Sequence, residues 1–239
     1  MINMIQLQLK PAPLVNFLSA QGVLHRLDSD NGYAAHAWLC AAFGNQAIKA
    51  FRIYSNRNAA TLKLLAYTEK TEDELKTAYR EFAEPLTQAV LDPETGFAFK
   101  TVNSQDFEQK NFGFEVLSCP VTRQSRSGVE KDAFLRHLDH NKESTKDREA
   151  VYAEWLADRL EGAATIDTVK MDKFSLVTQL RRPGKPGQKR QTKGLRRPQA
   201  RLQGQLKVVD STAFEEKLLK GIGRHKSFGY GMLLLKPAH

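Results

Sequence analysis

The order of apolar periodicities along the 239 residues predicts an α+β protein built from two consecutive βαββαβ units. Three observations carry this. Period-two alternation at Ile5, Leu7 and Leu9 opens the chain, the same strand and helix order occurs in both halves, and Gly-, Pro- or Asn-rich punctuation separates the segments.

In the first half, Ile5, Leu7 and Leu9 alternate with Gln6, Gln8 and Lys10, the pattern of a half-buried strand. Asn31-Gly32 reads as a break. Tyr33 to Phe43 is Ala-rich and free of Pro and Gly, so it is expected to be helical. Two β-like runs follow, Ala50 to Tyr54 and Thr61 to Tyr67, joined by Ser55-Asn56-Arg57-Asn58. Thr71-Glu72-Asp73-Glu74 has the form of a capping box for a helix ending before Pro85, and Phe97 and Phe99 alternate in a closing strand.

The second half repeats the order. Phe112 to Val121 is apolar and stops near Pro120, and Lys146 to Leu160 places Val151, Tyr152, Trp155, Leu156 and Leu160 on one helical face. Thr165 to Leu180 alternates as a strand and runs into a basic segment, read as a mobile hairpin tip or loop because it begins Pro183-Gly184-Lys185-Pro186-Gly187. Leu202 to Val209 is a strand, Asp210-Ser211 caps a helix through Leu219, and Met232 to Leu235 is the last strand. The two units correspond to tandem ferredoxin-like (RRM-like) domains, placed at 1–108 and 109–239.

The formal net charge of +9 is local. Arg181, Arg182, Lys185, Lys189, Arg190, Lys193, Arg196, Arg197 and Arg201 supply nine cations with no acidic residue among them, and the other 27 basic residues match the 27 acidic ones. Like charges crowded in this way repel unless a polyanion neutralises them, which points to nucleic acid. A solvated charge run is the bland alternative. No stretch approaches the length of a membrane span, so no membrane is expected and a soluble, cytoplasmic protein is. Cys40 and Cys119 lack metal-type spacing and suit a reducing compartment.

The run Gly221-Ile222-Gly223-Arg224-His225-Lys226-Ser227-Phe228-Gly229-Tyr230-Gly231 places four glycines and two fixed cations between a helix and the final strand. Glycines allow positive φ and close backbone approach, and Arg224 and Lys226 add charge, so a phosphate ligand is expected. The run lacks the Lys-Ser/Thr ending of a P-loop and precedes a last strand, which disfavours the common nucleotide motifs. A purely structural turn remains open. Tyr33 and His36 are three residues apart on one helix and share a face. An imidazole can move a proton near neutral pH and a phenol beside it can orient a hydroxyl or phosphate oxygen. A structural histidine on an Ala-rich helix is the competing reading. His137 and His140 lack further ligands, so no metal site and no cofactor is expected.

Asn31-Gly32-Tyr33-x-x-His36 with Phe43-Gly44 and Phe51-Arg52, Arg148-Glu149-Ala150-Val151-Tyr152-x-x-Trp155-Leu156, and the Gly221 to Leu233 run together resemble the CasE (Cse3) family of CRISPR repeat endoribonucleases, of a type I-E or related type IV system. The resemblance implies tandem ferredoxin-like domains and metal-independent cleavage of CRISPR repeat RNA at the base of its hairpin. The RNA's 2′-hydroxyl attacks the adjacent phosphate, leaving 2′,3′-cyclic phosphate and 5′-hydroxyl ends. It also implies that the enzyme stays on the mature crRNA among the subunits of a Cascade-like effector complex. Carried onto this chain, His36 is the general acid/base and Tyr33 positions the reacting groups. The nine basic residues together with Gly221, Gly223, Arg224, His225, Lys226, Gly229 and Gly231 bind RNA. Many members follow the histidine with arginine, whereas Ala37 and Trp38 follow here. A cation at the scissile phosphate is then expected from Lys49, Arg52, Arg181 or Lys226, and His25 ranks second to His36. A non-catalytic scaffold that clamps an RNA hairpin is the alternative function.

Overall fold

A computed structural model of the chain describes residues 2–22, 31–45, 47–54, 60–123, 128–180 and 194–238. Among these residues, two four-stranded antiparallel sheets form. In the first, β1 (Ile2–Leu9) pairs with β3 (Leu62–Thr68) and with β4 (Phe97–Val102), and β2 (Phe51–Tyr54) adds to β3. Ile5 lies opposite Ala66 and Phe99, and Leu7 opposite Leu64 and Phe97, so the predicted alternation fixes the register. Ile5, Leu7, Leu9 and Leu64 pack with α1 (Pro11–Ala20), α2 (Asn31–Phe43) and α3 (Glu72–Phe82). The capping box is present: the Thr71 side chain accepts from Glu74 N at 3.2 Å and Glu74 Oε2 accepts from Thr71 N at 2.8 Å.

Two features of this half differ from the sequence reading. The α1 helix falls where Pro11 and Pro13 discourage a helical assignment, yet a proline at the first helical position costs no hydrogen bond, and Leu14, Phe17 and Leu18 bury one face. Asn31-Gly32 does not break the chain but forms the first turn of α2. The short α4 (Pro85–Gln88) then closes over α2, with Trp38 Nε1 donating to Thr87 O at 3.1 Å.

The second sheet has the order β10-β5-β9-β8, formed by β5 (Asn111–Ser118), β8 (Ala164–Leu180), β9 (Gly194–Val208) and β10 (Leu233–Pro237). Each sheet therefore runs, in its own unit's numbering, 4-1-3-2, the order of a ferredoxin-like βαββαβ unit. Helices α6 (Arg148–Leu160) and α7 (Ser211–Lys220) cover this second sheet. Asp210 caps α7 by accepting from Ala213 N at 2.8 Å, and all five residues expected on the inner face of α6 are buried. Between β5 and α6 an unpredicted insertion holds β6 (Val121–Arg123), β7 (Glu130–Asp132) and α5 (Ala133–His140).

Beyond the residues that pair with β5, β9 continues from Gly194 to Gln199 against β8 alone, giving a two-stranded ribbon. Arg196, Arg197 and Arg201 are thus on a strand and not in a hairpin tip. Pro198 is compatible because this stretch has only one sheet neighbour. Arg181, Arg182, Lys185, Lys189, Arg190 and Lys193 lie outside the described residues.

Ile2 and Tyr67, on the face of the first sheet opposite its helices, join the same apolar cluster as Phe114, Trp155 and Phe214. The halves therefore share buried surface. No helix among the described residues is long and apolar enough to cross a membrane.

Candidate functional site

Helix α2 presents Tyr33 and His36, both partly buried, one turn apart. The Cys40 Sγ lies 3.8 Å from each ring nitrogen of His36, and burial pushes the imidazole below its ordinary value, which favours the neutral ring. Trp38 is fully buried and Ala37 packs at the edge of the core, so neither supplies charge.

The glycine-rich run, far away in sequence, closes this helix face. Gly221 ends α7, and the chain passes through Arg224 and His225 into a 3-10 turn at Lys226–Phe228. That turn meets the start of α2. A Cβ on Gly32 would stand 2.1 Å from the Phe228 carbonyl oxygen, and the Tyr33 and Phe228 rings are 6.0 Å apart between centroids. Gly32 is needed because two backbones touch there.

The loop's own glycines serve packing first. Gly221, Gly223, Gly229 and Gly231 all have positive φ. A Cβ on Gly221 would fall 2.5 Å from Ala50 Cβ in the first half, and one on Gly231 would fall 2.3 Å from Ile222 O. Ile222 N donates to Gly231 O, Gly229 N to Lys226 O and Gly231 N to Leu117 O, so these amides are spent on holding the loop's shape. Lys226 is half-buried, and burial together with Lys220, Lys49 and Lys217 lowers its pKa. Lys226 thus sits in a locally positive field, although Lys220 is itself paired with Glu216.

A residue that the sequence did not single out organises the rest of the loop. Glu130, on β7, receives Arg224 Nε at 2.5 Å, His225 Nε2 at 2.9 Å and Arg197 at 2.7 Å. Burial raises the carboxyl's pKa, but Arg224, His225 and Arg197 outweigh this and hold it below the ordinary carboxylate value. His225 adopts a left-handed backbone with φ of 61° and is pushed toward its neutral form by burial, against the pull of Glu130. Glu130 thus ties β9, at the root of the basic ribbon, to the loop that touches α2. No local pattern marks it, since it sits in a three-residue strand. Arg201 is paired with Asp172, so of the described members of the basic run Arg196 alone is classed as exposed.

Among the other expected residues, His25 and Arg181 lie outside the described set. Arg52 stacks on Tyr54, with its guanidinium carbon 5.5 Å from the ring centroid. His137 hydrogen-bonds Ser144 Oγ at 2.7 Å, and His140 Nδ1 donates to Arg136 O at 2.8 Å. Among the described residues no three His, Cys, Asp or Glu side chains converge as a metal-binding group.

A family model described as CRISPR associated protein matches residues 4–237. No curated protein matches by sequence. Among solved structures, the chain is similar to the CRISPR endoribonuclease Cse3 bound to a 19 nt RNA, with 20% identity, 98% of this chain and 100% of that chain covered, and a TM-score of 0.63. It is similar to Thermus thermophilus Cse3 bound to an RNA representing a pre-cleavage complex, at 18% identity, 99% coverage of both chains and a TM-score of 0.60. A chain of a CRISPR RNA-guided surveillance complex matches at 17% identity, over 98% of this chain and 100% of that one, with a TM-score of 0.53. With a family match over almost its whole length and the Cse3 fold in both halves, the chain belongs to the CRISPR-associated protein family.

Proposed function

We infer that the protein is a metal-independent endoribonuclease that cleaves CRISPR repeat RNA at the base of its hairpin and remains bound to the mature crRNA. The observation that supports this is the packing of the Lys226–Phe228 turn against Gly32 and Tyr33 at the start of α2, the helix that also bears His36 one turn on. The similar proteins bound to RNA and the surveillance-complex chain support the substrate and a place among other subunits.

The chemistry follows from the side chains. A neutral His36 takes the proton of the 2′-hydroxyl, whose oxygen attacks the adjacent phosphorus. The new O2′–P bond forms as the P–O5′ bond breaks, giving the 2′,3′-cyclic phosphate, and the departing O5′ takes a proton from water to become the 5′-hydroxyl while the His36 imidazolium returns its proton to solvent. Tyr33 positions the reacting oxygens, and Lys226 balances charge on the phosphorane in the place that arginine takes beside the histidine of other members. General acid–base help is worth roughly 10²–10⁴ in rate, and a well-placed charge about 10²–10³ more. The basic ribbon, with Arg196 and the cations beyond it, grips the phosphates of the A-form stem.

The test is incubation of repeat RNA in EDTA with the wild type and with His36→Ala. Cleavage by the wild type that is lost in the variant, with stem binding retained, is the expected result. Equal cleavage by the variant removes His36 from the mechanism. A wild type that binds its cognate repeat without cutting it identifies a scaffold instead.

A further inference from the structure

The far side of the glycine loop carries a second charged feature. An open groove of about 590 Å³ is bounded by β6, the C-terminal ends of α6 and α7, and the loop itself, with Arg123, Arg159, Lys217, Arg224, Asp158 and Gly223 on its walls. Four cations face one carboxylate. Arg159 is partly buried, its guanidinium carbon 4.0 Å from the Trp155 ring centroid and its NH1 donating to Trp155 O at 2.8 Å. Arg123 Nε donates to the Gly128 carbonyl at 3.2 Å. Among the described residues, neither arginine has a carboxylate within ion-pair distance, in contrast to Arg148, Arg197, Arg201 and Arg224. Arg159 is partly desolvated with only the groove's own Asp158 beside it, and Arg123 stands exposed without an ion pair, so the lining carries an excess of positive charge that an anion would balance.

We propose that this groove binds the phosphates of the single-stranded RNA that flanks the repeat hairpin. The groove and the proposed catalytic face share one loop: Gly221 to Arg224 form the wall, and Lys226 to Phe228 touch α2. A strand leaving the Tyr33 and His36 face across that loop meets these arginines next. The lining favours a polyphosphate over a protein surface. A protein interface is built on apolar and aromatic anchors, whereas Val121 and Ile222 of this groove are both buried and none of the large exposed apolar residues lines it. Planar guanidinium groups held in place are also the side chains best shaped for phosphate oxygens.

The proposal rests on the endoribonuclease reading, and the experiment separates the two. Binding is measured against salt for the repeat hairpin alone, for the hairpin with a short single-stranded extension on either side, and for oligouridine. For the wild type, one of the extensions is expected to tighten binding and to steepen the slope of log affinity against log salt by about 0.7 for each phosphate held. Arg123→Gln should flatten that slope by about 0.7, and addition of Arg159→Gln by about 1.4 in total, while the hairpin alone binds and is cleaved as before. Arg123→Gln changes a surface side chain and carries the test by itself if loss of the Arg159–Trp155 stack unfolds the double variant. Extensions that add nothing, or variants that keep the full gain, overturn the groove. So does oligoglutamate that binds the wild type, is lost in the variants and competes where oligouridine does not. Oligouridine binding that the variants lose, in a protein that ignores the hairpin, upholds the groove while the endoribonuclease reading fails.

Discussion

Gly32→Ala perturbs the contact on which the proposed mechanism depends. The added methyl carbon would stand 2.1 Å from the Phe228 carbonyl oxygen, 2.3 Å from its carbonyl carbon and 2.8 Å from its Cα. All three are backbone atoms, so no side-chain rotation relieves the overlap. A carbon and a carbonyl oxygen rest comfortably at about 3.3 Å or beyond, so the loop must withdraw from α2 by roughly 1 Å. Overpacking of this kind costs about 1–3 kcal/mol, which in a chain of this size lowers the melting temperature by about 2–12 °C. The kinetic effect should be larger in proportion, because a misplacement of about 1 Å costs on the order of 10²-fold in a positioned reaction. The assay is single-turnover cleavage of repeat RNA at saturating protein, with stem affinity measured separately by anisotropy and stability by thermal melting. We expect cleavage to fall about 100-fold with stem affinity nearly unchanged. A folded Gly32→Ala protein that cleaves at the wild-type rate refutes the idea that the loop must seat on α2.

Three other outcomes follow from the same geometry. Because burial lowers the pKa of His36 below 6.5, the pH profile of cleavage should rise through a midpoint under that value and then level off; a midpoint above it contradicts a buried general base. By linkage, a histidine depressed in the folded state contributes stability that is fully present above its unfolded pKa and is lost as pH falls through the folded one. His36→Ala should therefore remove part of the acid sensitivity seen in melts between neutral pH and mild acid. Glu130→Ala leaves Arg197 and His225 facing no carboxylate in a largely buried place, which should cost about 3 kcal/mol in denaturant unfolding. Glu130→Asp should recover part of that loss together with cleavage.

The fold was legible wherever burial imposes a period. Ile5, Leu7 and Leu9 on a strand, and Val151, Tyr152, Trp155, Leu156 and Leu160 on a helix, are visible because one face of each element is covered. Capping chemistry at Thr71 and Asp210 was equally local. The α1 helix was hidden because Pro11 and Pro13 resemble a turn until the first-turn exemption is applied. The β6–β7–α5 insertion was hidden because strands of three residues have too few positions to show a period.

For the site, Tyr33, His36 and the glycine run came from motif spacing, and the structure brings the first and last of these into contact. What spacing does not convey is why each glycine is there. Gly32 resembled a break because the carbonyl that excludes its Cβ comes from Phe228, nearly two hundred residues away. Glu130 was invisible for the same reason, since its three cationic partners come from β9 and the loop. The charge run was read as one device, yet Arg197 and Arg201 are engaged by Glu130 and Asp172. Charge counted along a chain takes no account of partners across a sheet.

The central claim is that α2 and the glycine loop form a single catalytic site, and a double-mutant cycle on His36→Ala and Lys226→Ala addresses it most directly. With single-turnover cleavage of repeat RNA in EDTA as the readout, the two losses should be strongly non-additive, the double variant cleaving about as slowly as the worse single one. Losses that simply multiply would mean that the histidine and the lysine act independently, and the composite site would be wrong.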